Sequence, residues 1–126
     1  MLKDSKAFSG FAVDDLEAAR RFYGETLEQR VEVLDEEHGL MTLHLAGERP
    51  TLIYQSPGFT PASYTILNFP VADVDAAVAW LAGRGVTFEF YDGMPQEANG
   101  VMKAGGPDIA WFKDPAGNTL SVLKED

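Results

Sequence analysis

The chain carries two copies of one pattern, and a repeat of this kind limits the fold more than any single motif does. Phe8-Ser9-Gly10-Phe11-Ala12-Val13-Asp14-Asp15-Leu16-Glu17-Ala18-Ala19-Arg20-Arg21-Phe22 superposes on Ile66-Leu67-Asn68-Phe69-Pro70-Val71-Ala72-Asp73-Val74-Asp75-Ala76-Ala77-Val78-Ala79-Trp80. The offset is constant at about 58 positions. Phe11 and Val13 then match Phe69 and Val71, Asp15 matches Asp73, and Phe22 matches Trp80. The alternating apolar pairs mark one face of a strand in each copy. Asp15 and Asp73 follow where a helix would begin. A short carboxylate there accepts a hydrogen bond from unpaired helix N–H groups and sits at the positive end of the helix dipole. Leu16, Ala19, Tyr23 and Leu27 fall on one helical face, as do Val74, Ala77, Val78 and Leu81. Gly83 and Gly85 end the second helix.

Strand-like runs follow each helix. In the first half they are Arg30 to Leu34, Leu40 to Ala46 and Thr51 to Gln55, with Asp35 to Gly39 and Gly47 to Pro50 as turns. In the second half they are Val86 to Tyr91, Ile109 to Lys113 and Thr119 to Leu123. Asp114-Pro115-Ala116-Gly117-Asn118 joins the last two, with proline early and glycine late, as a turn needing positive φ near its end requires. The long Gly-, Pro- and Asn-rich stretch from Asp92 to Asp108 has the length of a functional or mobile loop. The link between the halves, Ser56 to Ser63, is short. The expectation is one domain over 1–126, made of modules at about 7–57 and 64–124.

Composition narrows the function. A chain of 126 residues buries roughly two-thirds of its unfolded surface and needs no disulfide or structural metal to fold. The net charge of −10 repels phosphate backbones, so no nucleic-acid partner is expected. The same field attracts a cationic ligand or simply keeps the protein in solution. No stretch approaches the roughly 18 consecutive apolar residues that span a bilayer, so no membrane partner is expected. Met1 to Lys6 has no apolar signal core behind it. The absence of cysteine fits a cytoplasmic location.

With its repeated strand-Asp-helix opening and its closing Ile109-Ala110-Trp111-Phe112-Lys113-Asp114-Pro115-Ala116-Gly117-Asn118-Thr119-Leu120, the chain resembles the vicinal oxygen chelate superfamily. That group contains glyoxalase I, extradiol dioxygenases, fosfomycin-resistance proteins and bleomycin-resistance proteins. The resemblance runs from about Phe8 to Leu123. It implies an α+β fold of two βαβββ modules whose curved mixed sheets surround a cleft, with helices on the outer face. It also implies four strand positions that hold His or Glu in metal-dependent members. Here these fall on Phe8, Ile66, Ser121, and Ile53 or Tyr54. None suits a divalent ion, and the chain has only His38 and His44 with no cysteine. No metal and no other cofactor is expected.

Strand alternation then sorts the side chains. If Phe11 and Val13 pack under the helix, Phe8, Gly10 and Ala12 face the concave side, with Ile66, Asn68 and Pro70 matching them in the second copy. Met41, Leu43 and Leu45 are one face of the third strand, leaving Thr42 and His44 concave. The fourth strand is undecided, because Leu52, Ile53 and Tyr54 are all apolar or mixed. Ile109 and Trp111 share the concave face, as do Thr119, Ser121 and Leu123. The expected ligand-binding residues are Phe8, Thr42, His44, Tyr54, Asn68, Trp111 and Ser121; no catalytic residue is expected. His44 reads either as a hydrogen-bonding or basic group or as an ordinary strand residue, with no partnering acid near it in sequence. Asn68 orients a ligand or bonds across strands. The aromatics stack on a flat or cationic ligand or pack the core. Two functions remain. The first is a metal-free protein that holds a small organic molecule, cationic or aromatic, as the bleomycin-resistance branch does. The alternative is a metal-dependent lyase, isomerase or dioxygenase of the glyoxalase type. A homodimer is expected, since half-barrel sheets complete one another across a two-fold axis.

Overall fold

The computed structural model describes all 126 residues. The chain divides into two compact units, Met1–Thr60 and Pro61–Asp126. Each is a mixed, open sheet with one helix against it, so the fold is α+β.

In the first unit, β1 (Ser9–Val13) leads into α1 (Leu16–Arg21), then β2 (Arg30–Asp35), β3 (Leu40–Leu45) and β4 (Arg49–Gln55). The sheet order is β1-β4-β3-β2. β1 pairs parallel with β4, Phe11 opposite Ile53, and the other pairs are antiparallel. Phe11, Val13, Met41, Leu43 and Ile53 are buried with Leu16 and Ala19 of α1. This is the arrangement that alternation in the strands and the helical spacing predict. The fourth strand, undecided from sequence, is settled by the β1 register: Ile53 joins the core and Leu52 and Tyr54 turn to the other face. Asp15 caps α1 as expected, its carboxylate accepting from the Ala18 N–H at 3.1 Å. After six residues α1 widens into a single π-helical turn, Phe22–Thr26, in which the Leu27 N–H reaches the Phe22 carbonyl at 2.9 Å. The turn keeps Tyr23 and Leu27 on the buried side with Leu16 and Ala19.

The second unit runs β5 (Thr65–Val71), α2 (Val74–Gly83), β6 (Ile109–Lys113) and β7 (Thr119–Lys124), with sheet order β5-β7-β6. Asp73 caps α2 through the Ala76 N–H at 3.0 Å. Val74, Val78 and Leu81 are buried, as are Ala110, Phe112, Leu120 and Val122 on the strands that α2 contacts. Strict alternation in β5 fails at one place. A bulge at Ile66 sets Thr65 opposite Thr119 and Leu67 opposite Leu120, so Ile66 is an extra residue rather than a regular neighbour of Asn68 and Pro70 on their face.

The expected strand from Val86 to Tyr91 is not a strand. It reaches β6 through one bridge, Phe88 to Phe112, and through the Glu89 N–H to the Trp111 carbonyl at 2.8 Å. The cause is the side chain of Gln96. Its amide oxygen takes the Tyr91 N–H at 2.8 Å and its amide nitrogen donates to the Glu89 and Gly100 carbonyls, each at 2.9 Å. Backbone groups that a ladder needs are thus already satisfied. Met102 bridges Ile109 and occupies the rest of the β6 edge. The loop is further held to α2, where Asp75 accepts from Asn99 at 2.9 Å and from Lys103 at 2.7 Å.

The Asp114–Asn118 turn is a closed hydrogen-bonded unit. Buried Asp114 accepts from the Ala116 and Asn118 N–H groups at 3.0 and 2.8 Å and from the Asn118 side-chain amide at 3.0 Å. Gly117 has the positive φ, 96°, that the sequence pattern requires. Asn118→Ala removes a donor to a buried carboxylate and should lower unfolding stability by about 1–3 kcal/mol in chemical denaturation.

Glu17 on α1 gives a second expectation. The hydrogen bond from Arg20, with Arg21 adding to it, lowers its carboxyl from 4.5 to about 2. A depressed carboxyl contributes stability above its ordinary range and loses it as pH falls through the window between those two values. Glu17→Gln should therefore flatten the acid limb of the stability–pH curve between about 4.5 and 2, read from denaturation midpoints at a series of pH values.

Candidate functional site

The face of the first sheet turned away from α1 is built in rows. Register places Gly10, Leu52, Thr42 and Glu32 side by side across β1, β4, β3 and β2. The next row is Ala12, Tyr54 and Leu40. On the other side Pro50, His44 and Arg30 line up, with Phe8 preceding β1 at that end. Phe8, Leu34 and Tyr54 are 65%, 53% and 40% exposed, which is unusual for side chains of this size gathered on one sheet face. Between Phe8, Leu34, Thr42, Pro50 and Leu52 lies a hollow of about 190 Å³. Gly10 keeps the β1 side of the face bare, and a Cβ there would stand 3.1 Å from the Leu52 carbonyl oxygen. Four of the residues expected from sequence, Phe8, Thr42, His44 and Tyr54, therefore share this face.

His44 has a partner that the local sequence did not show. Its Nε2 lies 3.0 Å from Glu32 Oε1 on the neighbouring strand. Glu32 stands directly opposite Thr42, so the pair is a cross-strand diagonal. Only the β2–β3 register reveals it, because twelve positions separate the two residues. Both side chains are about half exposed, and such a pair contributes about 0–1 kcal/mol to stability. Its effect is to orient the imidazole.

The other three expected residues lie in one row of the second sheet: Asn68 on β5, Ser121 on β7 and Trp111 on β6. Ser121 is fully buried, and its hydroxyl donates to the Asn68 amide oxygen at 2.5 Å. This is the cross-strand bond open as one reading of Asn68. Trp111 is half-buried and meets Tyr91 edge-on, with ring centres 5.5 Å apart. Tyr91 was missed as a member of this group because its segment reads as a strand in sequence. Asn68 is exposed, so water can replace the Ser121 hydroxyl. Ser121→Ala should cost only about 0.5–1.5 kcal/mol in chemical denaturation.

Comparison with known proteins places this geometry. The sequence pattern of the Glyoxalase/Bleomycin resistance protein/Dioxygenase superfamily matches residues 8–122. The chain belongs to that superfamily. A superfamily member from Sphaerobacter thermophilus DSM 20745 is 27% identical, with 96% of this chain and 98% of that one covered and a TM-score of 0.69. TnmS3, an antibiotic binding protein from Streptomyces sp. CB03234, is 25% identical over 98% of both chains with a TM-score of 0.68. A glyoxalase family protein from Enterococcus faecalis, 22% identical over 98% of this chain and 100% of its own with a TM-score of 0.67, shares the fold. No curated protein matches the chain in sequence.

The resemblance to the superfamily implies four strand positions that hold His or Glu where a metal is bound. At the corresponding positions this chain has the Phe8 ring, the Ile66 alkyl group, the Ser121 hydroxyl already donating to Asn68, and Ile53 or Tyr54. Ile53 is buried in the core, and Tyr54 presents a phenol ring to the open face. This donor set does not fit a divalent cation. No group of three or more His, Cys, Asp and Glu side chains is placed to hold one elsewhere. No helix is long and apolar enough to cross a membrane.

Proposed function

We propose that the chain is a metal-free binding protein that holds a small organic molecule against the open face of its first sheet. The supporting observation is the hollow lined by exposed Phe8 and Leu34 with Thr42 and Leu52, on the sheet face that also carries exposed Tyr54. Burying about 100 Å² of such apolar surface contributes roughly 2–3 kcal/mol to a ligand. The aromatic rings favour a flat or cationic partner, and the net charge of −10 favours a cation. The antibiotic-binding relative supports the same reading.

At about 190 Å³ the hollow takes one ring-sized group, well below the roughly 300–1,000 Å³ of a complete small-molecule site. A larger ligand needs a second surface over it. A second copy of the chain meets that need, and we therefore place a homodimer in the proposal, with light scattering giving twice the chain mass at micromolar concentration. The lack of cysteine supports a cytoplasmic setting.

A thermal-shift screen of flat aromatic compounds, with and without a cationic amine, should raise the melting temperature by mass action. Phe8→Ser should weaken a stabilising compound by about ten- to a hundredfold, because it removes roughly 1.5–3 kcal/mol of apolar contact. Failure of every compound, or equal binding by Phe8→Ser, would remove this reading. One bound transition metal per chain by elemental analysis, with activity lost on chelation, would favour the lyase, isomerase or dioxygenase alternative instead.

A further inference from the structure

A second hollow, about 670 Å³ in volume, lies at the end of the first sheet, where the start of β2 meets the turn between β3 and β4. Arg30, His44 and Arg49 line it, with Glu28, Glu48 and Gly47. Arg30 stands directly opposite His44 in the β2–β3 pairing. The Arg49 guanidinium folds back over the turn: a Cβ on Gly47 would lie 3.5 Å from its Nε and 3.8 Å from its Cζ. Those are ordinary van der Waals distances, so they show only how near the guanidinium lies; glycine at this position answers to its φ of 81°.

Arg30 and Arg49 are also unpaired, in a chain where carboxylates outnumber cations twenty to ten. Lys3, Arg20, Arg21, Lys103 and Lys113 have carboxylate partners, Arg84 lies over the Trp80 ring and Lys124 donates to the Ala72 carbonyl. Only Lys6, near the N-terminus, and these two arginines have no such partner. Unpaired carboxylates at Glu28 and Glu48 are the ordinary consequence of acidic excess. Two unpaired arginines at one hollow are not, because guanidinium groups take up bidentate oxyanion partners readily.

We infer that this hollow binds the carboxylate of a small organic molecule through Arg30 and Arg49, with His44 on its wall. The two glutamates offset the charge of the two arginines, and the acidic chain as a whole opposes a dianion more than a monoanion. A singly charged carboxylate is therefore favoured over phosphate. The inference stands whether or not the apolar face holds a ligand, because the probe is a bare anion with no apolar group.

The test is a nitrogen-15 NMR titration with acetate, inorganic phosphate and chloride at matched ionic strength. Acetate should give saturable shifts at the Arg30 and Arg49 Nε–H groups and at the Gly47 and His44 amides. Arg30→Gln and Arg49→Gln should each weaken acetate about tenfold or more, since a charge-assisted hydrogen bond is lost. Arg30→Lys and Arg49→Lys, which keep charge but not the planar fork, should fall between. Unchanged dispersion of the remaining amides shows that the variants are folded. Shifts no different from those with chloride, or acetate binding that survives both glutamine variants, would overturn the site. Tighter binding of phosphate than acetate would overturn the carboxylate assignment.

Discussion

The parallel pairing of Ser9–Val13 with Arg49–Gln55 decides what every other residue of the first unit can do. With Phe11 opposite Ile53, one face of both strands carries Phe11, Val13, Thr51 and Ile53, and these are buried. The other face then carries Gly10, Leu52, Ala12 and Tyr54. A shift of one residue would exchange the two faces, exposing Ile53 and burying the Tyr54 hydroxyl. The antiparallel pairing of β3 on β4 extends the same division to Met41 and Leu43 on one side and Thr42 and His44 on the other. Both the core and the open apolar face therefore follow from a single register.

Much of this is visible in the amino-acid sequence because it is local. The Asp15 and Asp73 caps, the Leu16 and Val74 helical faces and the Asp114–Asn118 turn each depend on residues a few positions apart. Alternation in β1, β3 and β6 sorted their side chains for the same reason, whereas in β7 Thr119 and Ser121, expected on the open side, are buried along with Leu120 and Val122. What escaped was set by strand pairing or by a side chain that takes up backbone groups. Pairing with β1 resolved the fourth strand, where three successive apolar or mixed residues carry no period. Glu32 met His44 only through the β2–β3 register. The segment from Val86 to Tyr91 has strand-like residues, but Gln96 had captured its backbone groups from further along the chain. The bulge at Ile66 interrupted an alternation that the repeat otherwise supports.

Two of the residues expected to bind a ligand are engaged with each other: Ser121 is buried and its hydroxyl bonds to Asn68. The polar groups that stay available lie on the first unit: the oriented His44 imidazole and the Arg30 and Arg49 guanidinium groups at the end of the same sheet. Beside them is apolar surface that a folded chain does not ordinarily leave open. An apolar face bordered by a few polar groups is the chemistry of a site that holds and orients an organic molecule. It lacks the donor set of a metal centre.

The most direct measurement of that account is a carbon-13 methyl NMR spectrum recorded with a saturating aromatic ligand taken from a thermal-shift screen. Ring-current shifts and ligand-to-methyl Overhauser effects should appear at Leu34, Leu40 and Leu52 on the open face. Leu43 and Ile53, on the buried side of the same strands, should be nearly unmoved. Perturbation confined to the buried methyls, or to methyls of the second unit, would contradict the account.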